Sequence, residues 1–133
     1  MRLKLATLCD YASVSEGGKL NILGIFSNIW ARSAPITHAL MYLVAQMEFD
    51  FLEVGQKQFR VVLVDEDGKE TLNLGGEMNV PQATSAEPAN VNQIFVFNNT
   101  TFPKFGDYEF QVSVNGETCA QISLRVLQMR DNA

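Results

Sequence analysis

Histidine, cysteine and clustered positive charge are what this sequence has least of. It holds one histidine, His38, and two cysteines, Cys9 and Cys119, in 133 residues. A zinc site needs close-spaced ligand pairs, and this set offers none. A Ser-His-Asp or Cys-His arrangement would have to be built on His38, in the segment Pro35-Ile36-Thr37-His38, with no Gly-x-Ser-x-Gly elbow beside it. Gly17-Gly18 and Gly75-Gly76 lack the Lys-Ser/Thr or helix of a phosphate loop. The ten lysines and arginines are scattered and the net charge is −5. That balance argues against nucleic acid as a partner, because phosphate binding needs clustered base.

Long apolar runs are missing too. None approaches the ~18 residues of a membrane span, so no membrane insertion is expected. The opening MRLKLATLCDYAS is interrupted by Lys4 and stopped by Asp10, too short for a signal-peptide core. The expected compartment is therefore the cytoplasm, where Cys9 and Cys119 should be free thiols. Helical spacing with capping residues is also absent.

What remains is alternation and turn chemistry. Strands are expected from Arg2 to Ala12, Leu20 to Arg32, Leu40 to Phe49, Gln58 to Val64, Thr71 to Val80 and Val91 to Thr101. Pro81 to Ala89 reads as the longest surface loop. Tyr108, Phe110, Val112 and Val114 alternate with polar residues, Asn115-Gly116 makes a two-residue turn, and Ala120, Ile122, Leu124 and Val126 answer on a last strand. Parity puts Cys9 with Leu3 and Leu5, and Cys119 on the outward side. Eight short strands without helices predict an all-β, antiparallel two-sheet sandwich of about 7–9 strands, as one domain over 1–133. The Gly106-x-Tyr108 segment resembles the tyrosine corner of immunoglobulin-like domains, although the Cys-Trp-Cys pattern of antibody domains is missing.

The polar candidates are modest. Asp65 and Asp67, either side of Glu66 in a hairpin turn, carry the hard oxygens that calcium prefers. Turn geometry accounts for the same residues, and no metal or cofactor is expected. Asn98-Asn99-Thr100-Thr101 holds overlapping glycosylation sequons, without meaning unless the chain is exported.

Surplus apolar surface is the more telling feature. A two-layer sandwich needs one apolar face per strand, yet Leu20–Arg32, Leu40–Phe49, Gln58–Val64 and Val91–Thr101 are apolar on both. A third layer, bulges that spoil the parity, or an interface would each explain it, since monomers seldom expose large apolar patches. Large aromatics dominate buried contacts, so Phe26, Trp30, Phe95 and Phe97 are the interface candidates.

Leu8-Cys9-Asp10-Tyr11-Ala12, Gly18-Lys19-Leu20-Asn21-Ile22-Leu23-Gly24-Ile25-Phe26, Met41-Tyr42-Leu43-Val44, Asp65-Glu66-Asp67-Gly68, Phe102-Pro103 and Asn115-Gly116-Glu117 together resemble an uncharacterised bacterial family of small stand-alone β-sandwich domains. The resemblance implies a sandwich of unknown function and carries over no catalytic residue. The expectation is a non-enzymatic interaction or structural module whose partner is a protein or a second copy. The alternative is a module binding a ligand or calcium through its end loops.

Overall fold

A computed structural model describes residues 1–82 and 86–130. Among these there is no α-helix, only a 3₁₀ turn at Phe51–Glu53, and nine strands. They are β1 (Arg2–Ser15), β2 (Lys19–Phe26), β3 (Asn28–Ala31), β4 (Ile36–Phe49), β5 (Gly55–Asp65), β6 (Glu70–Val80), β7 (Ala89–Phe102), β8 (Gly106–Val114) and β9 (Glu117–Gln128). The expected loop from Pro81 to Ala89 falls partly outside the described residues.

The strands form a four-stranded sheet in the order β2-β1-β4-β7 and a five-stranded sheet in the order β3-β9-β8-β5-β6. Pairing is antiparallel everywhere except between β3 and β9, which are parallel. The expectation of a purely antiparallel sandwich is corrected here. The apolar run Leu20–Arg32 is two strands rather than one. At Ser27 the chain leaves the four-stranded sheet, and the Ser27 carbonyl accepts the Arg125 amide at 2.9 Å as β3 joins the other. A continuous apolar run conceals such a switch, because neither segment shows a wet face.

Alternate residues of the facing strands fill the space between the sheets. Leu8, Met41, Leu43 and Phe102 from one side meet Val61, Leu63, Phe110 and Leu124 from the other, all fully buried. Each such side chain contributes about 1.5–3 kcal/mol of burial. Aromatic pairs bridge the layers: Phe97 and Phe110 at 5.4 Å between centroids, Phe59 and Phe95 at 5.0 Å.

Several irregularities move residues to faces that strict alternation does not predict. A register shift between Leu3 and Leu5 sends Leu8 into the core and turns Cys9 to the outer face of the four-stranded sheet. Another between Val112 and Ser113 leaves Cys119 packed against the core rather than outward. Both parity assignments are thus reversed, but the thiols remain apart and free.

The corner at Tyr108 forms as expected. Its hydroxyl donates to the Lys104 carbonyl at 2.7 Å and its ring meets Phe102 edge-on at 5.1 Å. Asn115 and Gly116 both take positive φ, the requirement of a tight two-residue hairpin.

The least expected feature is the course of β1 and β2. β1 pairs with β4 as far as Cys9↔Tyr42, then continues with β2 alone to Ser15↔Lys19. The Gly18 carbonyl accepts a hydrogen bond from Asn92 Nδ2 at 3.3 Å. Asn92 lies level with Leu5 through the shared rung at Gln46. A straight strand would carry Gly18 about 40 Å from that level, at ~3.3 Å per residue. The two-stranded ribbon therefore folds back over the outer face, where Ala12, Leu20 and Ile22 cover Cys9, Val44, Tyr42 and Ile94. Gly24 sits near the fold with φ +72°, and a Cβ there would collide with Asp10 Oδ2. It satisfies both the backbone angle and the close approach.

Two outcomes follow. Tyr108→Phe should lose about 1 kcal/mol in urea unfolding, because the half-buried bond from its hydroxyl to the Lys104 carbonyl is lost. Gly24→Ala should cost about 1–3 kcal/mol from positive φ, plus the collision with Asp10. Gly17→Ala, at φ +85° with open space around it, should cost less in the same measurement.

Candidate functional site

The outer face of the four-stranded sheet carries the strongest candidate. The rung Ile25–Cys9–Tyr42–Val96 crosses all its strands, and beside it lie Leu23, Tyr11 and Leu40. The folded ribbon covers Cys9 and Val44 completely but leaves much of this surface open. Leu23 is 68% exposed, Ile25 64%, Tyr11 50%, Val96 49% and Leu40 43%. Tyr11 and Tyr42 lean together at 5.3 Å between ring centroids, linking the ribbon to β4. No residue of this rung, nor Leu23, Tyr11 or Leu40 beside it, is charged. A patch of this kind loses little polar solvation when covered and gains from the area removed from water.

The expected interface anchors fall in different places. Phe95 and Phe97 are core residues, 7% and 4% exposed. Their strand is apolar on both faces, and the larger side chains took the inner one, leaving Ile94 and Val96 outside. Phe26 is half-buried beside Leu8 and packs on His38 at 5.8 Å. Trp30 is exposed, but on β3 beside Leu127 in the other sheet. These four residues do not form one surface. Leu23, Ile25, Tyr11, Leu40 and Val96 were not singled out by sequence. Their signal was the two-faced apolar character of the strands, and preference for aromatic size pointed elsewhere.

A second candidate is a cleft of 530 Å³ between the β5–β6 turn and the corner after β7, lined by Asp65, Asp67, Lys69, Glu70 and Lys104 among others. Asp65 Oδ1 accepts the amides of Lys69 at 2.9 Å and Asp67 at 3.0 Å. Those bonds, the Lys69 amide foremost, hold its carboxyl below the usual range. Lys104 Nζ lies 3.0 Å from Asp67 Oδ2 and 4.0 Å from Asp65 Oδ2. Asp67 in turn raises the lysine above its ordinary value. The Lys104 ammonium group thus faces both carboxylates, and Asp65 Oδ1 is engaged in shaping the turn. Among the described residues, no three His, Cys, Asp or Glu side chains are grouped to hold a metal. Nor is any helix among them long and apolar enough to cross a membrane.

His38 stands opposite Thr100 in the β4–β7 ladder with its ring against Phe26.

No curated protein matches the chain. Among solved structures, an immunoglobulin-like protein from Pseudomonas aeruginosa is similar at 15% identity, with 94% of each chain covered and a TM-score of 0.41. A likeness that distant carries no argument about function. Residues 4–127 match the family model of DUF6941, described as a family of unknown function, and the chain belongs to that family.

Proposed function

We propose that this chain is a non-enzymatic interaction module, a single immunoglobulin-like sandwich that pairs with a second copy of itself through the outer face of its four-stranded sheet. The observation that carries the reading is the uncharged surface formed by Leu23, Ile25, Tyr11, Leu40 and Val96, which stays exposed after the ribbon has folded over its neighbours. Two copies of a chain with net charge −5 repel each other. A contact between them is favoured where charge is absent and apolar area is concentrated, and the patch around Leu23, Ile25 and Val96 meets both conditions. A two-fold contact needs only one such patch, because the same surface serves both partners. The non-enzymatic part rests on the polar groups: His38 is turned to Phe26, and Asp65 and Asp67 serve their turn and Lys104.

Sedimentation velocity between about 1 and 200 μM should show a monomer–dimer equilibrium. Leu23→Glu with Ile25→Glu should weaken it at least ~100-fold, since charges would be buried without partners. Both positions are exposed, so unfolding stability should hold. A wild-type chain that stays monomeric at the highest concentration overturns the reading.

A further inference from the structure

We infer that the β1–β2 ribbon is a hinged strap, which opens about Asp10 and Gly24 while the rest of the sandwich stays folded and so unmasks Cys9, Val44 and Ile94. The inference does not depend on whether two copies pair.

The first support is where the main-chain pairing ends. Beyond Cys9, β1 bonds only to β2, and β2 has no other neighbour. The ribbon's internal ladder, from Tyr11↔Leu23 to Ser15↔Lys19, can therefore move as a body without any rung breaking. What holds it down is side-chain contact rather than a ladder. Ala12, Leu20 and Ile22 rest on Cys9, Val44, Tyr42 and Ile94, the Tyr11 ring leans on Tyr42, and at the tip Asn92 Nδ2 donates to the Gly18 carbonyl. This cluster is separate from the one between the sheets, which contains Leu8 and is packed by Phe26 on the near side of the hinge. Segments with few buried contacts open at lower free energy than the whole domain.

The hinge itself is the second support. Gly24 takes positive φ at a point where β2 is an edge strand, paired with β1 on one side and open on the other. Swinging the strap away would extend the apolar strip along β4 and β7 by Val44 and Ile94, next to Tyr42 and Val96. It would also bare the Cys9 thiol, fully buried when the strap is down. Burial raises that thiol above its ordinary pKa, with the charge of Asp10 adding to the effect and the Tyr11 amide opposing it. The closed form is thus doubly protected from alkylation, by cover and by a small thiolate fraction.

In a Cys119→Ser chain, Cys9 is the sole thiol, and iodoacetamide labelling followed by intact mass reads the opening. Labelling should proceed under native conditions at a rate nearly independent of low urea concentrations. Ile22→Ala, which thins the contact beneath the strap, should speed it about tenfold, and Asn92→Ala should speed it several-fold. Leu124→Ala, in the core between the sheets, should lower global stability and leave the labelling rate within about twofold. Labelling that shows the full urea dependence of global unfolding, or that accelerates in Leu124→Ala in step with its loss of stability, overturns the strap. If Leu124→Ala does not fold, the urea dependence of the parent chain decides alone.

Discussion

A pleated strand sends successive side chains to opposite faces, so a strand with no polar positions has to be covered twice. The four-stranded sheet is built from such strands. On β4, Met41, Leu43 and Ala45 point into the sandwich while Leu40, Tyr42 and Val44 point out, and on β7 Phe95 and Phe97 point in while Ile94 and Val96 point out. The five-stranded sheet covers the first face with a well-packed aromatic and aliphatic layer. Among the described residues, nothing of comparable size covers the second. The departure of β1 from its neighbour at Cys9, the positive φ of Gly24 and the contact between Gly18 and Asn92 all serve to bring a ribbon back over that face. The surface left open is what the ribbon does not reach.

Where one face of a strand is wet, the sequence was legible. β8 alternates cleanly, β9 does so from Ala120 to Val126, their turn is Asn115-Gly116, and Tyr108 bonds back to Lys104 as its position near a strand start implied. Where both faces are apolar, parity carries no information about which is inside, and single irregularities decide it. The register shift near Leu5 inverts the assignment of Cys9. Asn99, at φ 54°, accompanies a change of alternation on β7 without a shift of register against β4: Phe95 and Phe97 are buried before it, Thr100 and Phe102 after it, and Asn98 and Asn99 are exposed. The same blindness joined β2 and β3 into one strand.

The candidate surface was legible as an excess and illegible as a place. That strands such as Leu20–Arg32 and Val91–Thr101 hold more apolar residues than a two-layer sandwich needs is visible from composition and alternation alone. Choosing which residues remain exposed requires knowing that a ribbon folds over Cys9 and Val44 and spares Leu23, Ile25 and Val96. Aromatic size is a sound guide to what is buried, and here it marked the core: Phe95 and Phe97 are inside. The acidic turn was the opposite case. Asp65 serves its own turn, which local sequence describes well, whereas the partner of Asp67, Lys104, comes from a distant corner.

The parallel pairing of β3 with β9 bears on the order in which the chain can assemble. Asn28 lies beside Arg125 and Ala31 beside Gln128, so a four-residue strand near the start waits for the last strand described. Contacts between residues so distant in sequence close large loops and slow folding. During synthesis, β1, β2 and β4 can begin their sheet while β9 is still unmade, but β3 has no template until β9 arrives. Ile29, buried in the finished fold and held by that pairing, then waits for its cover until β9 is made. For a nascent chain, the interval between the two events is when it is most open to wrong partners.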